Sequence, residues 1–445
     1  MMEAMPLRLM ILGGGSSQLN AFRRAREMGM WTILADHNPE APARTWADAF
    51  APASTFDTEA VVAAARDHGV DALLALGTDQ PVLTAARVSH RLGLPFPLSP
   101  EQALLLTNKA PMKQRFAAAG IPSVPWALID ENEDRWDEQG LGALDWPVVV
   151  KPVDSQGQRG IALAHDRQEL RRRRRTALSF SRDRRVLVEE YYPSREVTVS
   201  GWAHDPEKVE IWSITDRVTV SPRQSLGVCL AHRYPSAHAG GSATERSQRI
   251  VDLTGDVVRA FQLAGGPIYF QMLVGDRGVL VNEVAFRLGG AYEDISLPLV
   301  TGVDVLARQL AAIQRAVATR RGNASAKGSP GSAGGDRTAR AVPTSNAFVV
   351  PLMFARRGTV AELRGDEELR CRPEIAECRF LLPVGTNIRR MSNSTQRIAF
   401  AVIHGADSAE VNRGVDQVFD TLKVLNGDGE NLLIDSRAAA KLPEV

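Results

Sequence analysis

The sequence has few cysteines and almost no net charge. Its 445 residues include only Cys229, Cys371 and Cys378, with no CxxC pair, which predicts a reduced chain in the cytosol. The net charge of +1 gives no overall attraction to nucleic acids or to membrane surfaces. The eight histidines have no zinc-ligand spacing. Disulfide scaffolds, structural zinc sites and bulk electrostatic binding are therefore not expected.

Long apolar runs are also missing. None approaches the roughly 20 residues of a membrane span, and the N-terminal stretch lacks a signal-peptide layout. The remaining composition is globular, with 44% apolar and 24% charged residues. The length suits about two to four packed units.

Residues 1–107 alternate strand-like and helix-like patterns. LRLMIL (7–12), WTILAD and DALLAL predict strands, each followed by a loop and an amphipathic helix. This alternation predicts a doubly wound parallel sheet of the α/β class. Functional loops are expected at the carboxyl ends of its strands, at residues 13–18, 36–40 and 77–81.

The rest of the chain has a different character. Residues 108–318 have several strands and fewer helices, which predicts an α+β unit with much antiparallel sheet. Residues 319–343 are rich in Gly, Ala and Ser and predict a flexible linker or insertion. Residues 344–445 predict a smaller C-terminal α+β subdomain packed on the central unit.

The stretch GGGSSQ after the first strand invites comparison with dinucleotide-binding loops. Gly13 and Gly15 fit the first two positions of GxGxxG, but Gln18 stands where the third glycine belongs. Asp36 is spaced to suit a ribose contact. A tight strand-to-helix turn explains the same residues, and we favour it over nicotinamide binding.

The segment PVVVKPVDSQGQRGIAL (147–163) joins a cation to a glycine loop. Lys151 ends an apolar strand, and Gly157 and Gly160 follow in the loop. Backbone amides can approach phosphates in such a loop while Lys151 adds a mobile charge. The loop is not a P-loop, and a plain β-hairpin with a surface lysine is an equal alternative. Upstream, Lys109 lies in the first turn of a helix, where a cation opposes the helix dipole and suggests a ligand contact, with a solvated lysine as an equal alternative.

Two further segments carry carboxylates at strand ends. In VLVEEYYPSRE, the backbone of Glu190 and Tyr192 can bond the edge of a flat heterocycle, and Glu196 can accept hydrogen bonds from sugar hydroxyls. An exposed, charged edge strand is the alternative. In GPIYFQMLVGDRGVLVNEVAFRLGG (266–290), Gln271 and Glu283 lie on two strands of a hairpin and can hold Mg²⁺. Arg287 follows and can stabilise a transferring phosphoryl group, although a structural Glu–Arg ion pair is also common.

Taken in order along the chain, these motifs resemble those of the ATP-grasp ligases. The resemblance covers nearly the whole sequence and implies an N-terminal pre-ATP-grasp domain, a small lid at about 120–192 and a large antiparallel-sheet half, with ATP between the last two. It implies Arg287, Lys151 and Glu283 as catalytic residues and Gln271 with Glu283 as metal ligands. The residues implied to bind ATP are Lys109, Lys151, Ser155, Gln156, Gly157, Gly160, Glu189, Glu190, Tyr191, Tyr192 and Glu196.

The sequence departs from this family pattern at two positions. Many ATP-grasp enzymes have Glu where this chain has Gln271, and Asn where it has Ala285. Carbamoyl-phosphate synthases share the Gln, and the NEVA stretch is similar to that of carboxyaminoimidazole ribonucleotide synthases. One carboxylate fewer puts a second metal ion in question, for which Glu293 or Asp294 are candidate replacements.

The C-terminal region is similar to the tail of L-amino-acid ligases, through ARRGTVAELRG, RPEIAECRFLLPVGTNI and RIAFAVIHG in that order. This similarity favours carboxylate–amine ligation. Segment 229–238 is either a substrate-side loop or an ordinary surface loop. The predicted substrate-binding residues are Gly15, Ser16, Asp79, His232, Arg233, Gly289 and Gly290.

These observations predict a cytoplasmic ligase that uses ATP with Mg²⁺ or Mn²⁺ and passes through an acyl phosphate. Its partners are a small carboxylate and an amine, and related enzymes often form homodimers. A bicarbonate-using carboxylase and a non-catalytic ATP-binding protein are the alternatives, with a nicotinamide dehydrogenase more distant. The run of five arginines at 171–175 spreads around a helix without aromatic neighbours, so it predicts a solvated surface and no nucleic-acid site.

Overall fold

The computed structural model describes residues 6–131, 140–221, 225–238, 244–322 and 342–443. Most of the predicted linker at 319–343 lies outside these ranges, as does a part of the predicted lid.

The N-terminal region forms the predicted parallel sheet. Its four strands are β1 (Arg8–Leu12), β2 (Trp31–Ala35), β3 (Ala49–Ala51) and β4 (Ala72–Leu74), in the order β3-β2-β1-β4. Strand β3 was not predicted because a three-residue AFA segment carries almost no periodic signal. The helices of this region are Leu19–Glu27, Thr58–Asp67, Gln80–Leu92 and the 3₁₀ turn Pro42–Thr45.

Two capped helices lead from this region into the next. Ser99 begins the helix Pro100–Thr107 with a reciprocal capping box, which the sequence analysis did not identify. The Asn108 side chain then accepts a hydrogen bond from the backbone N–H of Ala110 at 3.0 Å and begins the helix Lys109–Ala118. This cap fixes Lys109 in the first helical turn, as the sequence predicts.

A small antiparallel sheet forms the lid. Its strands are β5 (Trp126–Asp130), β6 (Val148–Pro152), β7 (Ala162–Ala164) and β8 (Arg185–Glu190), in the order β5-β8-β6-β7, with the helix Arg167–Leu178 and the 3₁₀ turn Leu141–Ala143. Val148 and Val150 face the buried core that includes residues of this helix. Because side chains alternate along a strand, Lys151 projects from the opposite face of the sheet. Glu189 on β8 lies on that same face, since its neighbour Val188 belongs to the buried core.

An eight-stranded antiparallel sheet forms the centre of the molecule. Its order is β13-β12-β9-β10-β11-β14-β19-β17. The strands are β9 (Ser194–Asp205), β10 (Lys208–Thr219), β11 (Cys229–Tyr234), β12 (Gly266–Gly275), β13 (Gly278–Ala285), β14 (Ala347–Met353), β17 (Ile375–Phe380) and β19 (Ala399–Gly405). The boundary predicted at residue 344 does not separate two sheets, since Ala231 on β11 pairs with Pro351 on β14.

Short strands and helices complete the fold. The pairs are β15 (Gly358–Thr359) with β18 (Asn387–Ile388), and β16 (Glu362–Arg364) with β20 (Lys423–Leu425). The remaining helices are Thr244–Ala260, Glu293–Thr301, Val305–Arg320, Asp366–Arg370, Ser408–Thr421 and Arg437–Ala440, with the 3₁₀ turn Ser394–Gln396. In the described chain, no single helix is long and apolar enough to cross a membrane. The pair Glu293–Thr301 and Val305–Arg320, bent by 104°, meets the length and composition criteria only when taken together.

Candidate active site

A cleft runs between the lid sheet and the central sheet. Its larger cavity, of about 660 Å³, is lined by residues of the lid strands and of β9, β10, β12 and β13. A narrower cavity continues towards the N-terminal region and reaches Asp79, Lys109 and Arg287. Gln271 and Glu283 line both cavities, so they mark the junction between them.

A buried carboxylate lies between two buried lysines on the lid side of the cleft. The Glu189 carboxylate is 2.9 Å from Lys113 Nζ and also forms an ion pair with Lys151. Burial alone would raise the pKa of Glu189, but the two ammonium groups lower it to about 2. Burial lowers the pKa of Lys113, whereas the carboxylates of Glu189 and Glu283 outweigh burial and raise the pKa of Lys151. The network therefore holds Lys151 charged at the edge of the cavity.

A β-bulge brings neighbouring side chains of β13 to the same site. Gln271 pairs with Glu283 and Met272 pairs with Val281, so Asn282 is the extra residue of the bulge. Its side-chain oxygen accepts a hydrogen bond from Lys151 Nζ at 3.3 Å. In a regular strand, the side chains of residues 282 and 283 would point to opposite faces of the sheet. The bulge allows both side chains to face the same site.

Glu283 faces the second predicted cation. Its carboxylate lies 3.4 Å from Lys109 Nζ, which also donates a hydrogen bond to the backbone oxygen of Ser155 at 3.1 Å. Burial raises the pKa of Glu283, but the charges of Lys109 and Lys151 outweigh burial. The pKa therefore lies below its ordinary value, and the carboxylate is ionised. Gln271 on β12 lies directly opposite Glu283, and its side-chain amide provides a second oxygen ligand for a metal ion.

These two residues suit a metal ion that takes most of its ligands from elsewhere. Among the described residues, no group of three or more His, Cys, Asp or Glu side chains could hold a metal ion. One carboxylate and one amide oxygen still match Mg²⁺, which commonly keeps several waters and binds substrate phosphates. The donor set therefore fits a single Mg²⁺ completed by a phosphorylated ligand.

The glycine loop at 154–160 is held by contacts at both sides of the cleft. Gly157 and Gly160 have φ values of 70° and 75°, which favour glycine. The Gln156 side chain accepts a hydrogen bond from the Asp79 backbone N–H at 2.6 Å. On the other side, the Gly157 carbonyl accepts one from the Ser394 N–H at 3.0 Å. The loop thus touches the N-terminal and the C-terminal regions together.

Arg287 is buried at the narrow end of the cleft. Its Nε donates to Asp79 at 2.7 Å, and its guanidinium lies 4.7 Å from the ring centre of Tyr269. Burial lowers the pKa of Arg287, but Asp79 and other anionic neighbours raise it above its ordinary value. The arginine is therefore charged and oriented before any substrate arrives.

Glu196 and Arg217 form an ion pair in the wall of the larger cavity. The two side chains approach to 2.5 Å, and Arg217 also donates to the carbonyl of Gly227 at 2.9 Å. The Arg217 guanidinium is almost fully buried, so the pair fixes the direction of the Glu196 carboxylate.

Two family models match parts of this chain. The L-amino acid ligase C-terminal domain 2 matches residues 351–425, and the D-ala D-ala ligase C-terminus matches residues 116–221. A D-alanine–D-alanine ligase from Synechococcus sp. (strain JA-3-3Ab) is 38% identical over 110 residues, or 24% of this chain. The chain spans only 33% of the length of that relative.

Solved structures match over nearly the full length. The L-amino acid ligase from Bacillus licheniformis aligns with a TM-score of 0.72 at 17% identity, over 94% of this chain and 98% of that one. The chain has the ATP-grasp fold. The N5-carboxyaminoimidazole ribonucleotide synthetase from Thermotoga maritima also aligns, with a TM-score of 0.65 at 17% identity over 94% and 99% of the two chains.

Most of the predicted ATP-grasp residues line the cleft. Those on the larger or the narrower cavity are Asp79, Lys109, Lys151, Ser155, Gln156, Glu189, Glu190, Tyr191, Tyr192, Glu196, Gln271, Glu283 and Arg287. Those that line neither cavity are Gly15, Ser16, Gly157, Gly160, His232, Arg233, Gly289 and Gly290.

The hinge of the ATP-grasp lid differs in detail from the sequence interpretation. The N–H groups of Glu190 and Tyr191 donate to Pro125 and Pro147 carbonyls, both at 3.0 Å. These two N–H groups are therefore engaged within the protein, and a heterocycle contact by the remaining backbone groups of Glu190 and Tyr192 stays a prediction. The Glu190 carboxylate pairs with Arg277 at 2.8 Å. The Glu189 side chain, one of the groups implied to bind ATP, forms ion pairs with Lys113 and Lys151.

The predicted substrate loop at 229–238 is mainly a strand. Cys229–Tyr234 forms β11 in the middle of the central sheet, so neither a substrate loop nor a surface loop describes it. His232 is buried beside Thr215, and burial lowers the pKa of this imidazole to about 3. Arg233 pairs with Asp216 at 3.0 Å and donates to the Lys441 carbonyl.

The two glycines after Arg287 serve close packing. A Cβ on Gly289 would meet Glu293 and Tyr269 atoms at 2.6 Å, and one on Gly290 would lie 2.5 Å from the Gly77 carbonyl. Their place in the structure is thus against the N-terminal region and the helix Glu293–Thr301, where the sequence interpretation expected substrate.

The side chains that follow do not replace the missing metal ligand. The Glu293 carboxylate accepts hydrogen bonds from Ser200 and from the Gly289 N–H. The Asp294 carboxylate accepts one from Asn20 at 2.7 Å. In the described chain, neither residue lines the two cavities.

The GGGSSQ segment forms the tight turn favoured from the sequence. The Asp36 carboxylate accepts hydrogen bonds from the N–H groups of Gly14 and Asn38, both at 2.8 Å, so it stabilises the turn. Ser16 lies beside Tyr292, with 3.2 Å between their hydroxyl oxygens.

Three residues of the site were missed in the sequence. Lys113 is four residues after Lys109, a spacing that places both on one face of a helix and could have revealed it. Asn282 depends on a bulge, and Arg217 lies in a strand of mixed pattern. Local sequence gives no signal for either contact.

Proposed function

We propose that this chain is an ATP-dependent carboxylate–amine ligase that releases ADP and phosphate. The observation that carries this proposal is the junction of the two cavities at Gln271 and Glu283, where the larger cavity, lined by Lys151, meets the narrower one, lined by Lys109 and Arg287. Cations, an amide oxygen and an ionised carboxylate are what a magnesium-bound polyphosphate requires.

In this proposal, the phosphates of ATP lie at this junction. Lys109 and Lys151 contact the phosphates, and the glycine loop lies over them with its backbone amides. The base lies near Tyr192, which follows the two engaged N–H groups and lines the larger cavity. Glu196, held by Arg217, contacts the ribose.

Glu283 and Gln271 hold the magnesium ion in this proposal, and Mn²⁺ suits the same oxygen ligands. A bound divalent ion supplies Lewis-acid charge at the phosphate oxygens. The chain itself orients the reactants, since Arg287 is fixed by Asp79 and Lys151 by Glu189.

The reaction balances in two displacements. A substrate carboxylate oxygen attacks the γ-phosphorus of ATP, the bond to the bridging oxygen breaks, and ADP leaves with that electron pair. The amine nitrogen then attacks the acyl carbon of the acyl phosphate. The carbon–oxygen bond breaks, phosphate leaves, and the amine proton passes to solvent or phosphate. Arg287 faces the charge that develops on the acyl phosphate.

The cellular setting proposed from the sequence fits this chemistry. The three cysteines are free, as expected for the reducing, ATP-rich cytosol. The substrates are a small carboxylate and an amine.

The test is ADP release from Mg·ATP with pooled amino acids and small carboxylates. We expect substrate-dependent release that falls at least about 100-fold in Glu283→Ala, as when a transition-state contact is removed. Glu207→Ala is the matched control, since Glu207 forms an exposed pair with Arg259 far from the cleft residues.

Other outcomes distinguish the alternatives. Release that requires bicarbonate would indicate a carboxylase, the activity suggested by the NEVA stretch at 282–285. Tight ATP binding without ADP in any mixture would indicate a non-catalytic binder. Equal activity in Glu283→Ala and wild type would contradict the proposed metal site.

A further inference from the structure

Lys113 is a fully buried cation behind the nucleotide end of the cleft. It follows Lys109 by about one helical turn, so both side chains lie on the same side of the helix. Its side chain is only 1% exposed, and it lines neither of the two cavities, whereas Lys109 lines the narrower one. Its ion-pair partner is the Glu189 carboxylate, 2.9 Å from Nζ. Lys113 is thus one residue removed from the ligand space.

Packing alone gives no reason for a lysine at position 113. The helix Lys109–Ala118 already touches the lid sheet through apolar contacts of Ala110 with Val153 and Leu187. An apolar side chain would complete the same face of the helix without the cost of removing an ammonium group from water. The charge of Lys113 therefore explains its place better than its volume does.

The contact with Glu189 favours the charged form of Lys113. Burial lowers the pKa of Lys113, and the carboxylate 2.9 Å away opposes this effect. The pKa of Glu189 is lowered to about 2 despite burial, because Lys113 and Lys151 both face it. The carboxylate is therefore ionised near pH 7, and it stabilises the ammonium forms of both lysines.

The ionised side chains of this part of the cleft carry more positive than negative charge. They form two connected groups, which are Lys109 with Glu283, and Lys113 and Lys151 with Glu189. Three cations face two anions, so one positive charge is uncompensated within this set. Without Lys113 the set would be neutral.

The two oxygens of Glu189 are divided between the lysines. Oε1 faces Lys113, and Oε2 faces Lys151. On its other side, Lys151 donates a hydrogen bond to the Asn282 side-chain oxygen at 3.3 Å. An ammonium group has three N–H donors, and the third donor of Lys151 has no acceptor among the residues that the structure describes. This donor is available for a phosphate oxygen in the larger cavity, which Lys151 lines.

We propose that Lys113 is a positioning residue that keeps Lys151 attractive to the phosphates of ATP by sharing Glu189. This inference rests on the proposed function, in which Lys151 contacts those phosphates. A carboxylate divided between two cations does not neutralise either of them fully. Without Lys113, Glu189 and Lys151 would form an isolated neutral pair, which attracts an anion much less than a net positive group does.

The test measures nucleotide binding with and without a phosphate chain. Titration calorimetry with Mg²⁺ follows a non-hydrolysable ATP analogue, and competition against the analogue follows adenosine. Lys113→Met removes the charge and leaves Glu189 paired with Lys151. We expect the dissociation constant of the analogue to rise about 10- to 100-fold, because a charge close to several phosphate charges is lost. The dissociation constant of uncharged adenosine should change less than about twofold.

A double variant separates charge from packing. Lys113→Met combined with Glu189→Gln removes one cation and one anion, so the set keeps the net charge of wild type. We expect the analogue to bind this double variant within about threefold of wild type. A purely structural role of the ion pair predicts the opposite. The double variant, which lacks both partners, would then bind the analogue no better than Lys113→Met does.

Lys208→Met is the matched control for the removal of a lysine charge. Lys208 is exposed at the start of β10 and lines neither cavity, so both dissociation constants should stay at their wild-type values. If Lys113→Met does not fold, Lys113→Gln removes the same charge and keeps a hydrogen-bond donor for Glu189. The same rise in the dissociation constant of the analogue is expected for it.

The outcomes separate this inference from the proposed function. Unchanged binding of the analogue to Lys113→Met, an equal loss for the analogue and adenosine, or a double variant no better than Lys113→Met would each overturn the role of Lys113. A wild type that binds the analogue as expected but releases no ADP with any substrate pool would contradict the ligase and leave the role of Lys113 in place. A wild type that binds no analogue would contradict both.

Discussion

Buried cationic side chains differ between the nucleotide end of the cleft and the C-terminal region. At the nucleotide end, Lys151 and Lys113 share the Glu189 carboxylate, and Lys109 faces Glu283. In the C-terminal region, the Nε of Arg397 is buried without a hydrogen-bond acceptor among the described residues. The lysines of the cleft are therefore paired within the protein, whereas this nitrogen of Arg397 is not.

This difference indicates which kind of ligand the paired lysines suit. A preformed network holds its cations in place at a fixed cost in desolvation, which suits a cosubstrate that is the same in every turnover. We propose that the paired lysines serve the affinity for ATP and its orientation.

The largest expected effect is the removal of the shared carboxylate. Glu189→Gln removes the ion-pair partner of the buried Lys113 and leaves Lys151 with only the more distant Glu283, so we expect a loss of about 3–5 kcal/mol in the free energy of unfolding. Urea unfolding measures it. Glu207→Gln, which affects an exposed pair with Arg259, is the control and should change stability by less than about 1 kcal/mol. A loss of similar size in both variants would contradict the distinct role of Glu189.

The same carboxylate predicts how stability depends on acid. The pKa of Glu189 is about 2 in the folded chain, against an ordinary value of 4.5. Its stabilisation is therefore complete above about pH 4.5 and is lost as the pH falls towards 2. Unfolding free energies of wild type and Glu189→Gln should converge over this interval. A difference between them that stays constant from pH 7 to pH 3 would contradict the lowered pKa.

The pKa of Asp294, which lines neither cavity, is shifted in the opposite direction. Burial raises its pKa to about 6, so this group reduces stability as the pH rises towards 6. The acid dependence of wild type is the sum of both groups, and the comparison with Glu189→Gln isolates the nucleotide end.

Much of this arrangement was accessible from the sequence. Alternating strands and helices predicted the parallel sheet, and apolar runs ending in Lys151, Glu189 and Glu283 predicted polar side chains at one cleft. These signals work because strand periodicity and strand ends are local properties.

The rest of the arrangement depends on contacts between strands that are far apart in the sequence. The predicted substrate residues His232 and Arg233 looked like loop residues, yet β11 places them in the central sheet between β10 and β14. Arg397 carries no motif, and the burial of its Nε appears only when β14 and β19 bring the C-terminal region beside Tyr292. Contacts between residues far apart in sequence have no local signal.

The smallest expected effect concerns the contact that joins the C-terminal segment to the glycine loop. Ser394→Ala removes the hydroxyl that donates to Gln158 and keeps the backbone bond to Gly157, so stability should fall by only about 0.5–1.5 kcal/mol. Hydrogen exchange at residues 154–160 should become faster. Ser392→Ala is the matched control, because the Ser392 hydroxyl bonds Gln396 within its own segment. If both variants leave exchange in the loop unchanged, the Ser394 hydroxyl does not hold the loop, and the backbone bond to Gly157 and the contact between Asp79 and Gln156 are sufficient.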